Sequence, residues 1–115
     1  MNKIAIAAVV LMFPLAVMAV DHNMKMDHTM SPAAQEYMSG MQNMHNNMMA
    51  GMMSSNPDIA FANGMTAHHQ GAIEMAKTEL KYGADPEMRK LAQDVINTQQ
   101  PEIDQLQRWA KKQAQ

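Results

Sequence analysis

The chain of 115 residues contains no cysteine. That absence removes disulfides, thiolate zinc sites, iron–sulfur clusters and cysteine nucleophiles from consideration. Aromatic residues are scarce as well, with one tryptophan, two tyrosines and two phenylalanines. No basic excess exists either. The formal charge is −2 and the pI about 6.2, whereas a nucleic-acid-binding chain needs a basic face, so nucleic acid is not an expected partner. The length allows one small domain. What stands out against these gaps is methionine, present 16 times, together with five histidines.

Residues 1–19, MNKIAIAAVVLMFPLAVMA, read as a secretory signal peptide. Lys3 supplies a positive start, Ile4 to Val17 an apolar stretch, and Val17 and Ala19 the small residues of a cleavage site. The competing reading is a membrane anchor, but the run is shorter than the roughly 20 apolar residues of a span and contains Pro14. The expected address is the periplasm. Cleavage leaves 96 residues, in which 13 methionines equal the combined number of Val, Ile, Leu, Phe, Tyr and Trp.

Three helix-start signals divide the remainder. Ser31-Pro32, Asn56-Pro57 and Asp85-Pro86 each place a capping side chain before a proline at the first helical position. They predict helices over 32–53, 57–82 and 86–112, with Ser54-Ser55 and Gly83 as stops and a kink or break near 97–100 caused by Pro101. No alternating β pattern occurs. The expected fold is therefore all-α, a small antiparallel helical hairpin or bundle of about three helices (31–55 and 56–115). It is preceded by a flexible Met/His-rich arm over 20–30. Ile59, Phe61, Ile73, Leu80, Met88, Leu91, Val95, Ile96, Ile103, Leu106 and Trp109 form the expected core. Such a core is thin, so oligomerisation or metal binding would add stability.

Between Ser31 and Asp58 there is no Val, Ile, Leu or Phe, only Tyr37 and seven methionines. Met41, Met44, Met48 and Met52 step by three, four and four and share a helix face; His45, Met49, Met52 and Met53 form a neighbouring stripe. A methionine stripe is commonly a packing face, since Met fills irregular gaps. Here Leu and Ile would specify packing better, and Gly40, Gly51 and the nearby asparagines are weak helix formers. Thioether sulfur is soft and uncharged. It suits Cu(I) or Ag(I) in an oxidising compartment where thiolates are lost to disulfides.

The second helix carries Met65-Thr66-Ala67-His68-His69-Gln70-Gly71-Ala72-Ile73-Glu74-Met75-Ala76. Met65, His68 and Met75 lie close to one face. His69 lies about 100° round from His68, so Met65 pairs with either imidazole while a straight helix does not let both chelate one ion. The arm adds His22, Met24, Met26 and His28, and cleavage after Ala19 leaves Val20-Asp21-His22 as a four-nitrogen site suited to Cu(II). No Glu-x-x-His pair, phosphate loop or hydrolase signature occurs, and the carboxylates read as solvating charges, so no enzyme activity is expected.

The run M-x-x-H-H-x-G-A-I-x-M-A, with Phe61 before it and Asp85-Pro86-Glu87 after, resembles the domain-of-unknown-function 305 family over about residues 56–110. The resemblance implies a ferritin-like or hairpin helical bundle that binds copper and silver in the periplasm, with Met65, His68, His69 and Met75 as ligands. Thr66-Ala67 stands where the family commonly has Ile-Pro, Pro101 interrupts a helix that usually runs on, and the chain holds a single copy of the domain, so a bundle of two copies requires a homodimer. The expected function is sequestering or carrying Cu(I), with a copper efflux or delivery protein as a possible partner. The rival is a helical interaction protein or chaperone using the methionine face as an apolar groove.

Overall fold

The computed structural model describes residues 29–115. Among these, three helices and no strand are found: α1 (Pro32–Gly51), α2 (Pro57–Tyr82) and α3 (Pro86–Gln113). The expected leader and residues 20–28 of the arm, with His22, Met24, Met26 and His28, lie outside the described residues.

Each helix begins as its local chemistry requires. The Ser31 hydroxyl accepts from Ala34 N–H at 3.1 Å. Asn56 Oδ1 accepts from Asp58 and Ile59 N–H at 2.9 and 3.2 Å. Asp85 Oδ1 accepts from Met88 N–H at 2.9 Å. These side chains satisfy amides that have no partner within the helix, and each following proline has no N–H to satisfy. Acidic Asp58 and Glu87 in the first turns, with Lys81, Lys111 and Lys112 in the last turns, complement the helix dipoles of α2 and α3. At the α2–α3 corner the Arg89 guanidinium donates to the carbonyls of Leu80 and Gly83 at 2.7 and 3.0 Å, closing the end of α2.

The helices run antiparallel in chain order, and α2 is the middle one. α1 and α3 both pack on α2, while no Cα of α1 comes within 8 Å of one in α3. The side of α2 toward α1 is a stripe of small residues. A Cβ added at Gly71 would strike the Met44 side chain, one at Gly64 would come within 2.8 Å of Met52 Cγ, and one at Gly51 would meet the Asn63 backbone at 3.0 Å. Two glycines seven residues apart thus receive two methionines as knobs, letting the helix backbones approach.

The interior is thinner than the sequence suggests. Among the described residues its buried apolar members are Ala62, Ala67, Ile73, Ala76, Ala92 and Ile103, and no large side chain is fully enclosed. Of the expected core, Ile73 and Ile103 are buried and Ile59, Leu80, Val95, Ile96 and Leu106 half-buried. Phe61, Met88, Leu91 and Trp109 are exposed, Phe61 by 62%. The reason is geometric: three helices in a row bury two sides of the middle helix and only one side of each outer helix, leaving apolar residues off those sides in water.

Pro101 does not break α3, which is continuous through it. The helix withstands the lost hydrogen bond because apolar residues on both sides of the proline, from Ala92 to Ile103, pack toward α2. Pro101 and Asn97, whose carbonyl loses its donor, are on the solvent side. No helix of the described residues is long and apolar enough to cross a membrane.

Candidate metal centre

The metal-ligating residue types of α1 and α2 fall into three environments. On α1, Met41, His45 and Met49 are exposed, as is Met52 just after the helix, while Met48 is half-buried. Met53 in the turn after α1 is 80% exposed. Met44, half-buried, sits over Gly71, and Met52 over Gly64, so these two belong to the α1–α2 seam as well as to the stripe. Beside Met44 and Gly71 lies an open groove of about 320 Å³ lined by Asn43, Asn47, Gln70 and Glu74 among others.

On α2 the adjacent histidines diverge. His68 is exposed, as is Met75, two turns further on. His69 is 8% exposed and turned into the α2–α3 seam. Their ring centroids are 6.0 Å apart and the planes cross at 62°. This follows from the roughly 100° between consecutive helical residues: with α3 packed over one of them, its neighbour points away. Met65 is half-buried on the His69 side, lining a groove of about 290 Å³ with Phe61, His69, Glu102, Gln105 and Leu106. The structure thus places Met65 and His69 at one groove and leaves His68 and Met75 at the open surface.

The sequence reading treated the carboxylates as solvating charges. Glu102 departs from that reading: its Oε2 lies 2.5 Å from His69 Nε2. Buried His69 Nδ1 has no hydrogen-bond partner. No local signal connects Glu102 to His69, because 33 residues and a helix reversal separate them. Two other glutamates also serve the seams. Glu36 accepts from Lys81 and from the Tyr82 hydroxyl, at 2.9 Å for the latter. These hydrogen bonds, the lysine's first, hold its carboxyl below the usual carboxylate range. Tyr37 donates to Glu79 at 3.4 Å, and burial followed by the Glu79 charge pushes the phenol up.

Among the described residues no three His, Asp or Glu side chains gather as a hard-donor metal site. The donors an ion would meet are thioethers beside single imidazoles, and in the α2–α3 groove one carboxylate. Fold and donors together define a class: a small antiparallel all-α domain with methionine and histidine displayed along its central and first helices. The chain matches the family model described as Domain of unknown function (DUF305) over residues 12–110, and it belongs to that family. The match reaches past the 56–110 segment of the motif to include all of α1. A similar protein is the "Uncharacterized protein L153" of Acanthamoeba polyphaga mimivirus, 41% identical over 49 residues, which cover 43% of this chain and 32% of that protein. The chain thus aligns with about a third of that relative's length.

Proposed function

We propose that this protein is an exported copper-binding protein that sequesters or carries Cu(I), with Ag(I) as its surrogate, for copper homeostasis or resistance. The observation that carries the reading is where the sulfur is. Alanine and isoleucine form the interior, while Met41, Met49, Met52, Met53, Met75 and Met88 are each exposed by 44% or more. Methionine kept only for packing would be inside. Exposed thioethers are also open to oxidation, a cost that packing does not offset. They are soft, neutral donors that bind Cu(I) without releasing protons, and ligand exchange among them moves an ion with no redox step. Met65, His68, His69 and Met75 are the principal ligands, with Met41, Met44, His45, Met48, Met49 and Met52 a second face. The likeness of the motif to that of the exported copper-resistance protein CopM supports the same reading. On the arm, His22, Met24, Met26 and His28 add donors, with His22 as the third residue of a Cu(II) site at the processed amino terminus. The domain is not an enzyme. Its working form is a homodimer, which makes a four-helix, ferritin-like arrangement available, and an efflux or delivery protein in the periplasm receives the ion.

An anaerobic competition titration of the processed protein against a chromogenic Cu(I) chelator tests this reading. Saturation at one or more ions per chain is expected. Weakening is expected when Met65 and Met75 become Leu and His68 and His69 become Gln, with helicity checked by circular dichroism. If the chelator retains all the copper, the reading is wrong. The exposed apolar residues would then favour the second reading, a helical interaction or chaperone protein presenting its methionine face to a partner.

A further inference from the structure

His69 is an expensive residue for its position. Its side chain is 10% exposed, between two helices whose other buried members are alanine, isoleucine, glycine and one threonine. One ring nitrogen, Nδ1, is buried with no partner. An unsatisfied buried polar atom is destabilising, and an apolar residue of similar volume would avoid that cost. Packing therefore does not account for the imidazole, and what its other nitrogen does should. Nε2 points to Glu102 Oε2 at 2.5 Å, and the Glu102 side chain is 60% exposed and so free to swing. Around the pair is the groove of about 290 Å³ that also holds Met65 and Gln105.

We propose that His69 Nε2 and the Glu102 carboxylate form a Cu(II) site in the α2–α3 groove, with Met65 as its weak thioether ligand. An imidazole nitrogen and a carboxylate oxygen bound to one ion each stand about 2.0–2.2 Å from it. In a tetragonal ion, neighbouring ligand atoms at those lengths are roughly 3 Å apart. A small retreat of the exposed Glu102 side chain opens the 2.5 Å contact that far. As the ion takes Nε2, the neutral ring carries its single N–H on Nδ1 instead, and the carboxylate charge partly neutralises the cation. The carboxylate also sets the valence. It is a hard donor that Cu(I) does not favour, and an imidazole–carboxylate pair with open positions suits tetragonal Cu(II). Exposed His68 and Met75 have no carboxylate attached and keep the soft character suited to Cu(I). Of the two histidines in the dipeptide, His68 then serves Cu(I) alone, while His69, which α3 covers, also takes Cu(II) through Glu102. This deepens the copper reading and rests on it for the identity of the ion, while the pair and its groove stand independently.

The test uses the processed chain carrying His22→Gln, His28→Gln, His45→Gln and His68→Gln, which leaves His69 as the sole imidazole. Cu(II) alone is the probe, titrated against glycine as competitor and followed by electron spin-echo spectroscopy. The expected result is one ion per chain with modulation from a single imidazole's remote nitrogen. Glu102→Gln, a change at an exposed side chain that leaves the fold intact, should weaken binding at least tenfold. His69→Gln should erase the modulation, with retained helicity verified by circular dichroism. Unchanged Cu(II) affinity in Glu102→Gln, or an absent imidazole signal in the parent, overturns the proposal. The Cu(I) titration is separate. Cu(I) binding with no effect of Glu102→Gln on Cu(II) sinks this inference alone, and Glu102-dependent Cu(II) binding without Cu(I) binding sinks the Cu(I) reading alone.

Discussion

Three glycines in helix interiors give a graded test of how α1 rests on α2. Replacing a helical glycine by alanine gains about 1 kcal/mol by restricting the unfolded chain and favouring the helix. What opposes that gain is the new methyl group. At Gly40 it meets nothing within 4 Å, so Gly40→Ala should stabilise by about 1 kcal/mol. At Gly64 it comes within 2.8 Å of Met52 Cγ and 3.3 Å of Sδ. Met52 is 45% exposed and follows the last residue of α1, so its side chain can rotate outward and Gly64→Ala should be roughly neutral. At Gly71 the methyl group would meet Met44 at Cγ, 2.5 Å away, and also at Cβ, 2.8 Å away. Cβ moves only with the backbone, so α1 itself must shift. Overpacking of this kind costs about 1–3 kcal/mol, and the contact with Cβ argues for the upper end. Less the helix gain, Gly71→Ala should destabilise by about 2 kcal/mol. For a domain of this size each kcal/mol moves the melting temperature by about 4–8 °C. Thermal unfolding followed at 222 nm should therefore order the proteins Gly40→Ala, wild type with Gly64→Ala beside it, then Gly71→Ala. A Gly71→Ala protein as stable as wild type would refute the close seam and the placement of Met44 on it.

Two further perturbations address α3 and the α1–α2 seam. Pro101→Ala restores a hydrogen bond in a continuous helix at an exposed position, and should raise the urea midpoint by up to about 3 kcal/mol of stability; a lower midpoint would mean the proline supports the packing. Glu36, whose carboxyl is held low by Lys81 and Tyr82, contributes stability that is present above the ordinary carboxylate range and is lost as pH falls through it toward the depressed folded value. The difference in melting temperature between wild type and Glu36→Gln should shrink from neutral pH to about pH 3, and a constant difference would show that the charge is not what Glu36 contributes.

How much could be read in advance divides by the range of the interactions. The helix boundaries were legible because they are local: Ser31, Asn56 and Asp85 each satisfy amides two or three residues away, and prolines 32, 57 and 86 mark the first turns. The divergence of His68 and His69 was legible too, as a consequence of helical rotation. Which of them is buried was not, since that depends on where α3 lies. Of the kink or break expected at Pro101, the break does not occur, because a local penalty of about 3 kcal/mol is outweighed by packing contributed along the whole of α3.

Core membership and the partner of His69 belong to the tertiary structure alone. Phe61 and Leu91 have the apolar character of core residues, yet both remain exposed, Phe61 in the open wall of the α2–α3 groove. Gly71 and Gly64 become intelligible only when Met44 and Met52 are seen over them. Glu102 looks like any helix-surface carboxylate until the α2–α3 turn folds it back on His69. The sequence by itself determined an all-helical chain, the ends of its helices and its supply of thioether and imidazole donors, because propensity, capping and composition act within a few residues. Only the packing decided which donors line an interhelical groove and which face open water, because that choice depends on distances between residues far apart in the chain.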